Sequence, residues 1–133
     1  MVMKINNFIE FHKLSKCPGS YRKGVVFKND KICRLFINFT TSKMDKISKD
    51  SKTIFYAGRG KKDKDRYFSE DTTSNIENLK MKESKNNFPI YVHMNDGYYY
   101  LGDFKIVKTI NKAQYNPNLD KKFSTIGFIM RKI

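Results

Sequence analysis

The sequence has no tryptophan and very few cysteines, histidines and prolines. Its two cysteines, Cys17 and Cys33, form no Cys-x-x-Cys, and His12 and His93 are isolated. A structural zinc site needs about four clustered Cys and His ligands, so we expect no metal site. We expect both cysteines to be reduced thiols packed in the interior, as in a cytosolic protein. A disulfide between them is the alternative that the sequence does not exclude.

Long apolar runs are also absent. The longest uncharged apolar stretches fall far short of the roughly 18 residues that a membrane-spanning helix needs. The N-terminus lacks the apolar region of a secretory signal. We therefore expect an intracellular protein, cytoplasmic or nuclear, with no membrane partner.

No catalytic motif is found. The sequence contains no Gly-x-x-x-x-Gly-Lys-[Ser/Thr] loop for nucleotide phosphates. It contains no recognisable Ser/His/Asp or Cys/His arrangement. Glu83-Ser-Lys85 has the spacing of only one half of a nuclease Asp…Glu-x-Lys motif. The sequence therefore predicts a non-enzymatic protein with no catalytic residues and no cofactor.

Acidic residues are scarce relative to basic ones. Lysine and arginine number 27 against 13 aspartates and glutamates, a formal charge of +14. Such a charge attracts phosphate polymers, which favours a nucleic acid as the partner over a membrane surface. A lysine-rich composition in a biased genome is the simpler alternative. With 39% hydrophobic residues, 11 Phe and 8 Tyr, the chain can still build a core, and we expect one domain over residues 1–133.

The hydrophobic pattern predicts more strand than helix. Apolar groups at positions 5, 8, 9, 11 and 14 predict an N-terminal helix over 5–14. A second helix is predicted over 75–85, capped by Thr73 or Ser74, with Ile76 and Leu79 facing inward. Strands are predicted over 24–28, 32–38, 54–57, 88–94, 98–110 and 123–130.

Polar segments and turn signals separate these elements. Asn29-Asp30 and Asn95-Asp-Gly97 are typical of hairpin turns, and Gly102 suggests a bend in the strand over 98–110. Polar loops are predicted over 40–52, 61–74 and 111–121. The fold class is therefore α+β, a small barrel or a strongly bent antiparallel sheet with one or two flanking helices.

The stretch from Thr53 to Tyr67 carries the densest chemistry. The apolar run 54–57 ends at Gly58-Arg-Gly60, where glycines would let a ligand approach the backbone closely. The loop that follows mixes acids, an aromatic residue and cations. Its basic residues are natural phosphate contacts. They are Arg59, Lys61, Lys62, Lys64 and Arg66.

The order of several short motifs resembles the SRA-YDG family, especially the SRA-like modules of modification-dependent restriction endonucleases. The resemblance covers roughly residues 20–108. It departs from the family where Lys62–Arg66 replaces a Gly-Asp-Gln signature, and the spacing from Asn75 to Leu79 is one residue longer. The matching motifs are Arg22-Lys-Gly24-Val, Tyr56-Ala-Gly58-Arg-Gly60, Asn75…Leu79, Phe88-Pro-Ile-Tyr-Val92 and Tyr100-Leu-Gly102-Asp-Phe-Lys-Ile-Val107.

The resemblance implies a barrel of the PUA-like superfamily that binds DNA carrying 5-methyl- or 5-hydroxymethylcytosine and flips the modified base into a pocket. A flipped cytosine needs an acceptor for its exocyclic amine and an aromatic ring to stack on. The acids in the loop are the candidate acceptors, and nearby rings are the candidates for stacking. The predicted base-pocket residues are Tyr56, Asp63, Asp65, Tyr67, Phe68 and Tyr99.

Other functions fit the same residues. A PUA-like reader of modified RNA, of the YTH or EVE type, would also use stacking and basic grooves, although DNA is favoured. A non-catalytic protein-interaction factor is a further alternative. A base reader could serve a restriction nuclease as its specificity subunit, be a fragment of one, or stand alone. The oligomeric state is left unassigned.

Overall fold

The fold is described from a computed structural model over residues 3–6, 10, 13, 16–18 and 24–133. Most of the helix predicted over 5–14 lies outside the described residues, as do His12 and the Arg22-Lys23 part of the family motif. Glu10 and Lys13 are helical, but Ile5 is not. Ile5 belongs to a strand because it pairs with Tyr98, which corrects the predicted start of the helix.

The described residues form eight strands and, apart from the helical residues Glu10 and Lys13, one helix. The predicted strands and the predicted second helix are all present, although several of their bounds differ. The strands Met3–Ile5 and Lys46–Ile47 were not predicted, and the second of them lies in the segment predicted as a polar loop over 40–52. In chain order the elements are β1 (Met3–Ile5), β2 (Val25–Lys28), β3 (Lys31–Asn38), β4 (Lys46–Ile47), β5 (Thr53–Tyr56), α1 (Ile76–Glu83), β6 (Phe88–Met94), β7 (Gly97–Asn116) and β8 (Lys121–Lys132).

All strands belong to one sheet with the order β2-β3-β6-β7-β8-β5-β4, and β1 pairs with β7. The β3–β6 pair is parallel and the other pairs are antiparallel, so the prediction of an antiparallel sheet is wrong at that pair. Parallel neighbours need a long crossover, which β4, β5 and α1 provide. Within the described part of the chain β2 and β4 do not pair, so the sheet is strongly bent but not closed.

Register shifts bend the sheet around its core. Shifts occur between Val26 and Phe27, between Ile90 and Tyr91, and on β7 between residues 106 and 108. Such irregularities increase local twist. Gly102 has a positive φ of 111° beside one of them, which confirms the bend predicted there.

A single apolar cluster fills the concave face of the sheet. Strands from both ends of the strand order contribute to it, which shows how far the sheet curves. Its fully buried members include Val25, Leu35, Ile54, Met81, Phe88, Ile90, Phe104, Phe128 and Met130. On the other face Tyr98 and Tyr100 pack with Ile5, Phe36 and Tyr91, whereas Tyr99 packs against the main cluster, as strand alternation predicts.

The segment predicted as a polar loop over 111–121 is largely strand. β7 continues to Asn116, β8 begins at Lys121, and their pairing includes Lys112 with Thr125. We call the two-stranded projection over residues 109–127 the arm. Most of its side chains in β7 face solvent, so the segment needs no apolar alternation and its strand character is hidden in the sequence.

The helix differs from its prediction in cap and in orientation. The Asn75 side chain accepts hydrogen bonds from the backbone N–H groups of Glu77 and Asn78, so Asn75 is the N-cap and not Thr73 or Ser74. Ile76 is 69% exposed and Leu79 is also exposed. Asn78 and Met81 face inward instead.

Cys17 and Cys33 form a disulfide, which corrects the prediction of reduced thiols. Their Cα atoms are 6.0 Å apart, within the range that a disulfide spans. The sequence spacing said nothing about this distance, because folding brings Cys17 against strand β3.

We expect reduction of this disulfide to lower the free energy of unfolding by roughly 3 kcal/mol, because closing a loop of about 16 residues restricts the unfolded chain. Urea unfolding with and without dithiothreitol measures this difference. The double variant Cys17→Ser/Cys33→Ser is the control and should not respond to the reductant. Equal stability of the oxidised and reduced wild-type proteins would contradict the expectation.

Candidate nucleic-acid interface

The turn after β5 is packed against the protein itself. Gly58 has a φ of 77°, and a Cβ there would lie 2.6 Å from the carbonyl oxygen of Ile126. A Cβ on Gly60 would lie 2.4 Å from Cγ2 of Thr72. These glycines therefore admit close contact with neighbouring segments of the chain. The close approach that the sequence predicted for a ligand at these glycines is made in this structure by neighbouring segments of the chain.

The buried side chain of Asn78 holds this turn. Its Oδ1 accepts from the N–H of Arg59 at 2.7 Å, and its Nδ2 donates to the carbonyl of Arg59 at 2.7 Å and to that of Thr72 at 3.0 Å. The amide thus pairs with both backbone groups of one residue. It joins α1 to the start of the loop over residues 59–67, which we call the basic loop.

The basic loop is ordered by its own acids. Asp63 Oδ1 accepts from the N–H groups of Asp65 and Tyr67 at 2.9 and 3.1 Å. Asp63 Oδ2 accepts from the side-chain amides of Asn116 and Asn118, and Asp65 also accepts from Asn118 at 2.8 Å. The hydrogen bond from Asn118 is the main cause that lowers the pKa of Asp63. Both acids therefore tie the loop to the tip of the arm.

Three of the predicted stacking residues lie apart from any shared pocket. Phe68 is only 2% exposed, and Lys62 lies 5.1 Å from its ring centroid. The Tyr99 hydroxyl donates to Asp96 at the β6–β7 turn. Tyr67 is half-buried, and the ammonium of Lys43 lies over its ring. The structure does not bring these three rings together.

A cavity of about 160 Å³ opens at the end of β3 and β5, beneath the basic loop. In another protein a cavity of about 150 Å³ holds one benzene molecule, so this volume suits a single six-membered ring. Of the predicted residues, Tyr56, Lys62 and Arg66 line it. The other lining residues are Phe36, Ile37, Asn38, Thr41, Ser42, Lys43 and Asp45.

Asp45 is the acid of this cavity, and the sequence analysis missed it. Its Oδ1 accepts from the N–H of Ala57 at 2.7 Å and its Oδ2 accepts from the Ser42 hydroxyl at 2.6 Å. The Ser42 hydroxyl in turn accepts from the N–H of Asp45. A carboxylate has about four acceptor positions, so two remain for a ligand. The Ser-x-x-Asp spacing, typical of side-chain-stabilised turns, was the available signal.

Tyr56 forms an inner wall of the cavity. It belongs to the main apolar cluster and is 8% exposed, so it serves the core and the cavity together. Burial raises the pKa of its hydroxyl, and the charge of Asp45 raises it further. The hydroxyl therefore stays protonated at neutral pH and can donate a hydrogen bond.

Cations surround the cavity mouth. Lys43 lies 4.4 Å from the ring centroid of Tyr67, and Lys62 and Arg66 approach from the basic loop. Arg59 pairs instead with Glu77 at 3.2 Å. Of the five basic residues predicted to bind phosphate, two thus line the cavity and Arg59 is partly engaged. Lys61 and Lys64 are exposed elsewhere on the loop.

Within the described residues, no group of three His, Cys, Asp or Glu side chains could hold a metal ion. In the same part of the chain no helix is long and apolar enough to cross a membrane. The cavity itself offers an acid, a phenol, an aromatic ring and cations. This chemistry suits a neutral polar ring attached to an anionic chain.

Similarity to known proteins is found in structure and not in sequence. No family model matches the chain, and no curated protein is similar to it. The SRA domain of SUVH5 bound to hemi-methylated CG DNA superposes with a TM-score of 0.73 at 16% identity, covering 98% of this chain and 85% of that one. The same domain with fully hydroxymethylated CG DNA gives 0.76 at 16% identity, with 100% and 88% coverage.

The chain has an SRA-like fold. This agrees with the resemblance found in the sequence motifs. A third structural neighbour is the type IV phosphorothioation-dependent restriction endonuclease ScoMcrA, with a TM-score of 0.62 at 11% identity. The match covers 100% of this chain and 26% of that chain, so this chain corresponds in fold to about a quarter of the nuclease.

Replacing Asn78 by Ala should lower the free energy of unfolding by about 2–3 kcal/mol, because buried backbone groups of Arg59 and Thr72 lose their partners. Asn75→Ala is a matched control that removes only a helix cap, at a cost of about 1 kcal/mol. Urea unfolding of both variants provides the comparison. Equal losses would mean that Asn78 has no special part in holding the turn.

The lowered pKa of Asp63 predicts a pH dependence of stability. The Asp63 carboxylate contributes fully to the free energy of unfolding above its unfolded-state pKa of about 4. This contribution is lost as the pH falls through the lower pKa of the folded state. The stability difference between wild type and Asp63→Asn should therefore shrink between about pH 5 and pH 2.5. Unfolding curves at several pH values measure this difference, and a constant value would exclude the role.

Proposed function

We propose that this chain is a reader of DNA that carries a modified cytosine, and that the cavity beside Asp45 receives the base. The observation that carries the proposal is the pairing of an available carboxylate with an aromatic wall in a space for one ring. The solved SRA domains with methylated or hydroxymethylated DNA support it by their similarity of fold.

Each part of the cavity has a role in this proposal. The free acceptor positions of Asp45 receive the exocyclic amine of the extruded cytosine. The rings of Tyr56 and Phe36 supply contact for the base and for a 5-methyl group. Lys43, Lys62 and Arg66 neutralise the phosphates on either side, which binds DNA without reading its sequence.

The roles predicted for the basic loop become part of the same proposal. Tyr67 lies beside Lys43 at the mouth, where its ring can support a base entering the cavity. Asp63 and Asp65 were expected to accept the cytosine amine. We now assign that contact to Asp45, because the loop acids already accept several hydrogen bonds from the arm and their own loop.

The bent sheet and the nuclease context complete the proposal. Val25 near one end of the sheet and Ile54 near the other share one core, which supports a variant of the PUA-like barrel. About a quarter of the ScoMcrA restriction endonuclease chain matches the fold of this chain. We propose that this chain likewise supplies base recognition for a nuclease and performs no catalysis itself.

The test is binding of the purified protein to matched duplexes with cytosine, 5-methylcytosine or 5-hydroxymethylcytosine, at about 150 mM salt. Wild type should prefer one modified duplex by about tenfold or more. Asp45→Asn should remove most of this preference, because a charged hydrogen bond contributes about 1.5–3 kcal/mol. Affinity for the unmodified duplex, which rests on phosphate contacts, should change little.

Asp65→Asn is the matched isosteric control and should keep the preference. If Asp65→Asn loses the preference while Asp45→Asn retains it, the base contact lies in the basic loop as the sequence first suggested. Stronger binding of the corresponding modified RNA would replace the DNA reader by an RNA reader. Equal binding to all duplexes would contradict base recognition altogether.

A further inference from the structure

A second depression lies on the convex face of the sheet, with a volume of about 500 Å³. It is next to the cavity beside Asp45 that we propose for the base, which we call the base cavity. Phe55 forms part of it and alternates along β5 with the core residues Ile54 and Tyr56, so its side chain points away from the core. The turn over 43–46 forms one side of the depression and the arm forms the other. We call this depression the outer groove.

The floor of the outer groove is apolar and depends on a glycine. A Cβ on Gly127 would lie 2.4 Å from Cζ of Phe55, so glycine at this position lets the ring approach β8 closely. Ile110 is the cross-strand partner of Gly127 and also lines the groove. Met44 is a further apolar lining residue. The result is an apolar surface of the kind on which a base or a sugar can pack.

The walls of the outer groove are cationic. Lys43, Lys46 and Lys112 line it and no acidic residue does. Among the ion pairs found in the described residues, none involves these three lysines. An apolar floor between unpaired cations complements a nucleotide, which joins an apolar face to a phosphate. The outer groove is also larger than the cavity beside Asp45, so it has space for a base together with its sugar.

Lys43 lines both the base cavity and the outer groove. A strand that placed one nucleotide in the cavity would therefore pass Lys43 and reach the outer groove with the next nucleotide. The Lys43 ammonium lies close to the Tyr67 ring, which positions it between the two spaces.

We propose that the outer groove binds the nucleotide adjacent to the extruded one, on the same DNA strand. Its phosphate lies among Lys43, Lys46 and Lys112, and its base or sugar packs on Phe55 and Ile110. This inference rests on the proposed function and extends it: the protein would contact two consecutive nucleotides of one strand and would sense the base next to the modified cytosine.

The first experiment measures the salt dependence of binding to the preferred modified duplex. Removing one phosphate contact lowers the slope of log K against log salt by about 0.9 in duplex DNA, so Lys112→Ala should lower it by about that amount. Lys85→Ala is the control, since Lys85 is exposed near the β2–β3 turn and outside both spaces. It should leave the slope unchanged.

The second experiment removes the neighbouring base. Duplexes carry an abasic nucleotide on the 5′ or the 3′ side of the modified cytosine. For wild type, one of the two should bind about fivefold more weakly or worse, as expected for loss of a stacked base. In Ile110→Gln the intact duplex should bind more weakly, and the abasic change should then have little further effect. Thermal unfolding verifies that the variants fold.

The outcomes separate the inference from the function on which it rests. If wild type prefers the modified duplex but Lys112→Ala keeps the full slope, the outer groove holds no phosphate and the inference is overturned. An abasic effect of equal size in wild type and Ile110→Gln also overturns it, because the neighbouring base then lies elsewhere. If wild type shows no preference for modified DNA, the proposed function itself fails.

Discussion

The candidate interface depends on one buried amide. Asn78 pairs with both backbone groups of Arg59 and also with the carbonyl of Thr72, and so joins α1, the turn after β5 and the segment that leads into the helix. The side-chain amide bonds both the N–H and the C=O of one residue, as a neighbouring strand does in a sheet. These hydrogen bonds are strong because the protein interior offers the same groups no water as an alternative partner. Together with the ion pair between Arg59 and Glu77, the Asn78 amide holds the start of the basic loop to α1.

Acidic and basic side chains have different roles in this structure. Several acids accept internal hydrogen bonds that hold segments of the chain in place: Asp45 in the turn at 42–45, Asp63 in the basic loop and Asp71 from β8. The excess of lysines has few acids left to pair with. Lys43 and Lys62, which belong to ordered loops, place positive charge beside the cavity.

The cavity and the outer groove lie on either side of the same short turn. The Ser42–Asp45 contact fixes this turn, places the carboxylate in the cavity and leaves Lys43 and Met44 at its tip. A few local hydrogen bonds thus position both the Asp45 carboxylate and the Lys43 cation. Under the proposed function, this shared turn would link recognition of a base to the path of the strand that carries it.

The sequence by itself determined six of the eight strands, the two tight hairpin turns, the bend near Gly102 and the motif order typical of an SRA-like fold. These features are local, since alternation, turn chemistry and glycine conformations are set by neighbouring residues. Only the tertiary structure decided the parallel β3–β6 pair, the disulfide, the extended arm and the position of Asp45 at a cavity, on which we base its proposed role. Each depends on residues far apart in the chain. Asp63 and Asp45 look alike as sequence, and what separates them is that Asn116 and Asn118 reach one whereas the other faces a cavity.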